Sequence, residues 1–122
     1  MATILLAEDD LFLRDIYTEV LSNEGFIVSV AIDGEEVLQK LKQGSWDLVL
    51  MDVVMPKMSG IEVLKKIANE PPQKYAHHIV LMTNSDDIKS FDEVRDITDG
   101  YILKSSFTPG ELVEKIKQYL KN

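Results

Sequence analysis

The chain has no cysteine among its 122 residues. Disulfide bridges, cysteine-bearing zinc sites and thiol catalysis are therefore excluded together. Basic residues are scarce as well: 13 Lys and Arg stand against 21 Asp and Glu, a formal charge of −8. That balance argues against direct nucleic-acid binding, which ordinarily presents a basic patch. It argues equally against docking on an anionic membrane surface. No apolar run nears the roughly 20 residues that span a bilayer, and Met1-Ala2-Thr3-Ile4 lacks the basic stretch of a signal peptide. No repeat, low-complexity tract or Gly/Ser linker divides the chain. The expectation is one cytoplasmic domain over residues 1–122, long enough to bury about two-thirds of its unfolded surface without a staple.

What is present is a series of short apolar runs separated by segments of helical period. Ile4-Leu5-Leu6-Ala7, Leu48-Val49-Leu50-Met51, Ile79-Val80-Leu81-Met82 and Tyr101-Ile102-Leu103 are four of them, and Phe26 to Ala31 is a fifth, broken by Ser29. Unbroken runs suit strands covered on both faces. Between them, Leu13, Ile16, Tyr17, Val20 and Leu21 form a helical stripe, and Gly25 follows as a C′ residue. Asp33-Gly34-Glu35-Glu36 and Ser59-Gly60-Ile61-Glu62 read as capping boxes. Ile88, Phe91, Val94 and Ile97 predict a fourth helix. Thr108-Pro109-Gly110-Glu111 opens the last one, with Thr as N-cap and Pro at the first helical position. Pro71-Pro72 closes the third.

The pattern is β-α five times over. It predicts an α/β domain with a doubly wound parallel sheet, helices on both faces and right-handed crossovers. Ligands in such sheets sit beyond the carboxyl ends of the strands. Those ends carry Glu8, Asp9 and Asp10 after the first run, Asp52 after the third, Thr83 after the fourth and Lys104 after the fifth. Converging carboxylates repel one another, and a hard divalent cation such as Mg²⁺ relieves the repulsion through oxygen ligands. The same cation suits phosphoryl transfer, where catalysis is chiefly positioning and charge stabilisation. An Asp can serve there as nucleophile, a Lys as a point charge and a Thr hydroxyl as a donor.

At these positions the sequence resembles the receiver domain of two-component response regulators. The shared pattern is Glu8-Asp9, Asp52, the loop Met55-Pro56-Lys57-Met58-Ser59-Gly60, Thr83 and Lys104, and it covers the whole chain. The resemblance implies a flavodoxin-like fold with five strands in the order 2-1-3-4-5 and five flanking helices. It implies that Asp52 accepts a phosphoryl group from a sensor histidine kinase or phosphotransfer protein. Glu8, Asp9, Asp52 and the backbone carbonyl of Val54 would hold Mg²⁺, Glu8 through a water. Thr83 and Lys104 would hold phosphoryl oxygens. Tyr101 matches an aromatic switch position that moves with Thr83 and remodels the face of helix 4, strand 5 and helix 5 for an unknown downstream protein. The expected protein is a switch and not an enzyme with a separate substrate; its chemistry is its own phosphorylation and dephosphorylation. A monomer or a weak, phosphorylation-dependent homodimer is expected.

Single features also have plainer explanations. Asp10 reads as a helix N-cap. Tyr101 could be an ordinary packing aromatic. His77-His78 precedes the fourth run, far from the strand ends that hold the acids, and reads as structural. Trp46 is expected to pack at the turn into strand three. From Asp86 to Asp99, six acids oppose Lys89 and Arg95, as either a solvated face or an acidic partner surface. Two positions depart from the family pattern, Ser105 and Asn84, the latter following Thr83 where a small residue is usual. Ser105 stands where a proline usually follows the lysine, so a trans Lys104–Ser105 bond is expected. Val54 and Ser85, at positions that tune dephosphorylation in the family, offer no group to orient an attacking water, which predicts a long-lived phosphoryl group. The alternative function is a constitutive pseudo-receiver that binds protein without phosphorylation; the complete set of site residues argues against it. A flavin-type cofactor site would meet repulsion from Glu8-Asp9-Asp10, and a haloacid-dehalogenase-type phosphatase would need Asp at position 54, which holds Val.

Overall fold

A computed structural model describes residues 1–68, 75–84 and 91–121. Five strands, β1 (Thr3–Ala7), β2 (Ile27–Ala31), β3 (Trp46–Asp52), β4 (Ala76–Thr83) and β5 (Gly100–Leu103), form one parallel sheet in the order β2-β1-β3-β4-β5. Each of β1, β3, β4 and β5 contains one of the apolar runs, and β2 takes all of its run but Phe26. The helices α1 (Leu11–Asn23), α2 (Gly34–Gln43) and α3 (Gly60–Ala68), and a C-terminal helix (Pro109–Lys121), follow β1, β2, β3 and β5.

The helix starts are set by the residues that the pattern singled out. The Asp10 carboxylate accepts from the Leu13 N–H at 3.0 Å, and Asp33 accepts from Glu36 N–H at 2.8 Å. Ser59 and Glu62 close a reciprocal box, as do Thr108 and Glu111, satisfying donors that a helix N-terminus leaves open. Gly25 takes φ +92°, the left-handed geometry that ends α1.

Because helices cover both faces of the sheet, the core has two halves. Leu5, Ala7, Val49, Met51 and Leu81 face α2 and α3 through Val37, Leu41, Val63 and Leu64. Ile4, Leu6, Leu48, Leu50, Val80 and Met82 face α1 and the C-terminal helix through Tyr17, Leu21, Leu112 and Ile116.

Of the expected fourth helix, Ile88 lies outside the described residues, Phe91 is α-helical, and Asp92–Ile97 continue as a 3-10 helix with Val94 buried. Its apolar residues Phe91, Val94 and Ile97 recur at intervals of three. That interval keeps them in one row on a three-residue turn and makes them drift around a 3.6-residue one. An Asp92–Arg95 ion pair spans the same interval. Asp86, Asp87 and Lys89 of the acidic segment, and Pro71-Pro72, also lie outside the described residues. Trp46 opens β3 and donates its indole N–H to the Lys40 carbonyl at 3.1 Å. His78 meets the Asp99 carboxylate at 3.4 Å, at the end of β4 away from Thr83.

Candidate functional site

Strand register assembles the site. Ala7 pairs with Met51, so Glu8 and Asp52, one residue further on, leave neighbouring strands side by side. Asp52 pairs with Met82, and Thr83 pairs with Leu103. Thr83 and Lys104 are therefore each displaced one step along the rim. Side chains alternate along a strand, so Glu8 and Asp52 continue the rows of Leu6 and Leu50. Both carboxylates emerge over the side that α1 and the C-terminal helix cover.

Their charges meet one cation. The Lys104 ammonium lies 2.7 Å from Asp52 Oδ2 and 3.0 and 3.2 Å from the two Glu8 oxygens. Glu8 is fully buried, Asp52 is 6% exposed and Asp9 is exposed. Burial, then the charge of Asp52 and a hydrogen bond with it, push the Glu8 carboxyl up to about 7; Lys104 opposes them but does not prevail. For Lys104, burial pulls downward, yet the bond and charge of Asp52 and then of Glu8 hold the ammonium above its ordinary value. Two buried acids thus share one base, which leaves an excess of negative charge at the rim.

Oxygens of Glu8, Asp9 and Asp52 all lie within 4.8 Å of one another. Three hard oxygen donors around an excess of negative charge fit a Mg²⁺ ion, which takes few carboxylates and keeps other positions for water or phosphate oxygen.

The loop after β3 holds Asp52 by its own backbone. The Val54 N–H donates to Asp52 Oδ1 at 3.1 Å, so both carboxylate oxygens are oriented. Gly60 N–H donates to the Val53 carbonyl at 2.8 Å, and a Cβ at Gly60 would stand 2.7 Å from the Asp52 carbonyl oxygen. On the far side of the loop, a Cβ at Gly34 would stand 2.1 Å from the Met58 carbonyl oxygen. Lys57, at φ +67°, reaches Asp33 at 3.7 Å and Glu35 at 3.9 Å. The loop is thereby clamped between its own strand and the start of α2.

Thr83 is buried, and its hydroxyl donates to the Asn84 carbonyl at 2.9 Å. Tyr101 is 37% exposed on β5, with its ring edge-on to Phe91 at 4.8 Å between centroids. Lys104 opens a 3-10 turn, Lys104–Ser106, and no cis peptide occurs among the described residues, so the Lys104–Ser105 bond is trans as expected. Glu8, Asp9, Asp52 and Lys104 are thus brought together, with Val54 beside them. Tyr101 stands apart on the adjoining face. Sequence reasoning missed three supporting contacts: the direct Lys104–Glu8 pairing, the Arg14 guanidinium on the Glu8 carbonyl at 3.1 Å, and the closeness of Gly60 to the Asp52 backbone. Only Gly60 carried a signal, as the last residue of the loop motif.

The model of the response regulator receiver domain family matches residues 4–117. The transcriptional regulatory protein CpxR homolog of Haemophilus influenzae is 38% identical over 126 residues, covering 99% of this chain and 51% of that protein. The alkaline phosphatase synthesis transcriptional regulatory protein PhoP of Bacillus subtilis is 33% identical, covering 97% of this chain and 48% of the relative. The chain thus spans about half the length of these curated relatives. Among solved structures, a CheY-like receiver domain protein from Methanospirillum hungatei superposes with a TM-score of 0.85 at 29% identity, covering 99% of this chain and 94% of that one. The response regulator TrrA of Thermotoga maritima, solved with Mg²⁺-BeF, gives 0.80 at 36% identity, covering 98% and 99%. The sheet order, the acidic rim with its lysine and a family match over nearly the whole length lead to one conclusion: the chain belongs to the response regulator receiver domain family.

Proposed function

We propose that this domain is a phosphorylation-activated switch that takes a phosphoryl group onto Asp52 from a sensor histidine kinase or phosphotransfer protein. The observation that carries the reading is the Lys104 ammonium bridging Asp52 and Glu8 beside the exposed Asp9. An Asp52 oxygen would attack phosphorus, the bond from phosphorus to the donor's imidazole nitrogen would break, and the electron pair would leave with that nitrogen. The product is an acyl phosphate. Asp9 and Asp52, the Val54 carbonyl and, through water, Glu8 would hold Mg²⁺, which supplies charge neutralisation for the phosphoryl oxygens.

The chain's own groups do the rest. The Val54 N–H keeps the carboxylate in one orientation, and the clamped loop keeps that N–H in place. Lys104 already bonds an Asp52 oxygen and is placed to follow the charge onto the phosphoryl group. The Thr83 hydroxyl would exchange the Asn84 carbonyl for a phosphoryl oxygen. Phosphate brings a charge near −2 and three strong acceptors, enough to bias a loop between two arrangements. Tyr101 would move with Thr83 and alter the face of the 3-10 helix, β5 and the C-terminal helix. A cavity of about 190 Å³ on that face is lined by Tyr101, Ile102, Lys115, Gln118 and Tyr119, and a downstream protein would read it. Titration with beryllofluoride and Mg²⁺, followed by amide NMR, tests the switch. Shifts at Thr83, Lys104 and Tyr101 that require both reagents are expected; shifts confined to Asp9 and Asp52 would contradict it.

A further inference from the structure

The turn that carries Lys104 has little of its own to hold it. Lys104–Ser106 make one 3-10 turn, whose hydrogen bonds are poorly aligned. No proline restricts the backbone between Leu103 and Thr108. Ser105, Ser106 and Thr108 are exposed. The Ser106 hydroxyl donates to the Leu103 carbonyl at 3.0 Å, a bond inside the turn that ties it to nothing else.

Phe107 is different. It is half-buried, packs with the core half that contains Leu112, Val113 and Ile116, and sets its ring against Tyr17 with centroids 6.1 Å apart and planes tilted by 43°. Tyr17 is 4% exposed and belongs to α1. That helix is fastened to the acidic strand end by the Asp10 cap and by Arg14 on the Glu8 carbonyl. Tyr17 also lies on the side of the sheet over which Glu8 and Asp52 emerge. Burial raises the proton affinity of its phenol, Lys104 opposes the rise, and Glu8 and Asp52 add to it, so the hydroxyl end of the ring senses the site's charges. The ring pair therefore connects the helix fastened to the Glu8–Asp9 strand end to the loop that supplies the base.

We infer that Tyr17 and Phe107 are positioning residues for Lys104: their ring contact sets where the turn sits and so how far the ammonium reaches toward Asp52 and Glu8. The catalytic consequence rests on the reading that Lys104 serves phosphorylation of Asp52; the geometric one does not. A misplacement of about 1 Å in such a group can cost on the order of 100-fold in rate.

The test uses Phe107→Ala, Phe107→Tyr as the ring-preserving rescue, and Leu41→Ala as a packing control in the other core half. Two readouts are taken: the distance from the Lys104 ammonium to Asp52 in crystal structures of the variants, 2.7 Å in the wild type, and the rate of phosphorylation by acetyl phosphate with Mg²⁺. Phe107→Ala should lengthen that distance by about 1 Å and slow phosphorylation at least about tenfold. Phe107→Tyr should restore both, and Leu41→Ala should change neither despite its lost packing. Should Phe107→Ala fail to fold, Phe107→Leu keeps apolar volume without the ring and carries the same expectations. An unchanged ammonium position and a rate within about twofold of wild type would overturn the inference, as would equal slowing by Leu41→Ala. Wild type that takes no phosphoryl group defeats the switch reading alone, and the ammonium position still decides the brace.

Discussion

Glu8→Gln should make this protein more stable than wild type at neutral pH, and the gain should vanish in acid. Glu8 is fully buried and its carboxyl titrates near 7, against 4.5 in the unfolded chain. Below pH 4.5 both states hold the proton and the group has no effect. Between 4.5 and 7 the unfolded chain has released it while the folded one keeps it, so raising the pH favours unfolding by about 1.4 kcal/mol per unit. Above 7 the cost levels off. Glutamine resembles the protonated acid in shape and removes the titration, and it leaves the Lys104–Asp52 pair in place. Between pH 5 and pH 8 the stability of Glu8→Gln relative to wild type should therefore rise by about 2–3 kcal/mol. Urea unfolding of both proteins at the two pH values, in EDTA, reads this directly. Asp47 and Glu111, whose carboxyls are held low by bonds from the Thr3 and Thr108 backbone N–H groups, push the other way in both proteins and cancel in the comparison. A difference that stays constant with pH, or that shrinks toward pH 8, would refute the account of Glu8.

Three other outcomes follow from the geometry. Gly60→Ala should destabilise the fold by about 1–3 kcal/mol, since its methyl would press on the Asp52 carbonyl, and it should slow phosphorylation; denaturant unfolding and a phosphodonor assay report both. Asp33→Ala removes the cap of α2 and should cost about 1–2 kcal/mol, measurable by thermal unfolding. The phosphoryl group should persist for minutes or longer in Mg²⁺, because Val54, with its side chain exposed at the site, cannot orient water; a decay within seconds would contradict this.

The strands were legible because a sheet covered on both faces demands uninterrupted apolar runs, and five such runs stand between recognisable caps. The site was legible for the same reason: each strand-end residue follows its run directly, and parallel register then lines them up. Of the fourth helix only the end is described, and there Phe91, Val94 and Ile97 repeat at a strict interval of three, which suits the 3-10 turns of Asp92–Ile97. The burial of Glu8 was invisible to sequence, since an acid at a strand end can face water or turn inward. Its pairing with Lys104 spans 96 positions and depends on the path of the last loop, which no local pattern encodes. The close approach of Gly34 to Met58 was hidden too, for it resides in a distance between backbones brought together only by folding.

The central claim is that Asp52 takes up phosphate with the help of Mg²⁺ and Lys104. Incubation with acetyl phosphate, followed by mass spectrometry of the intact protein and of its peptides, tests it most directly. The account predicts one added phosphoryl group on Asp52, abolished by EDTA and by Asp52→Asn and strongly slowed by Lys104→Gln. An unmodified wild-type protein, or an unchanged addition in Asp52→Asn, would contradict it.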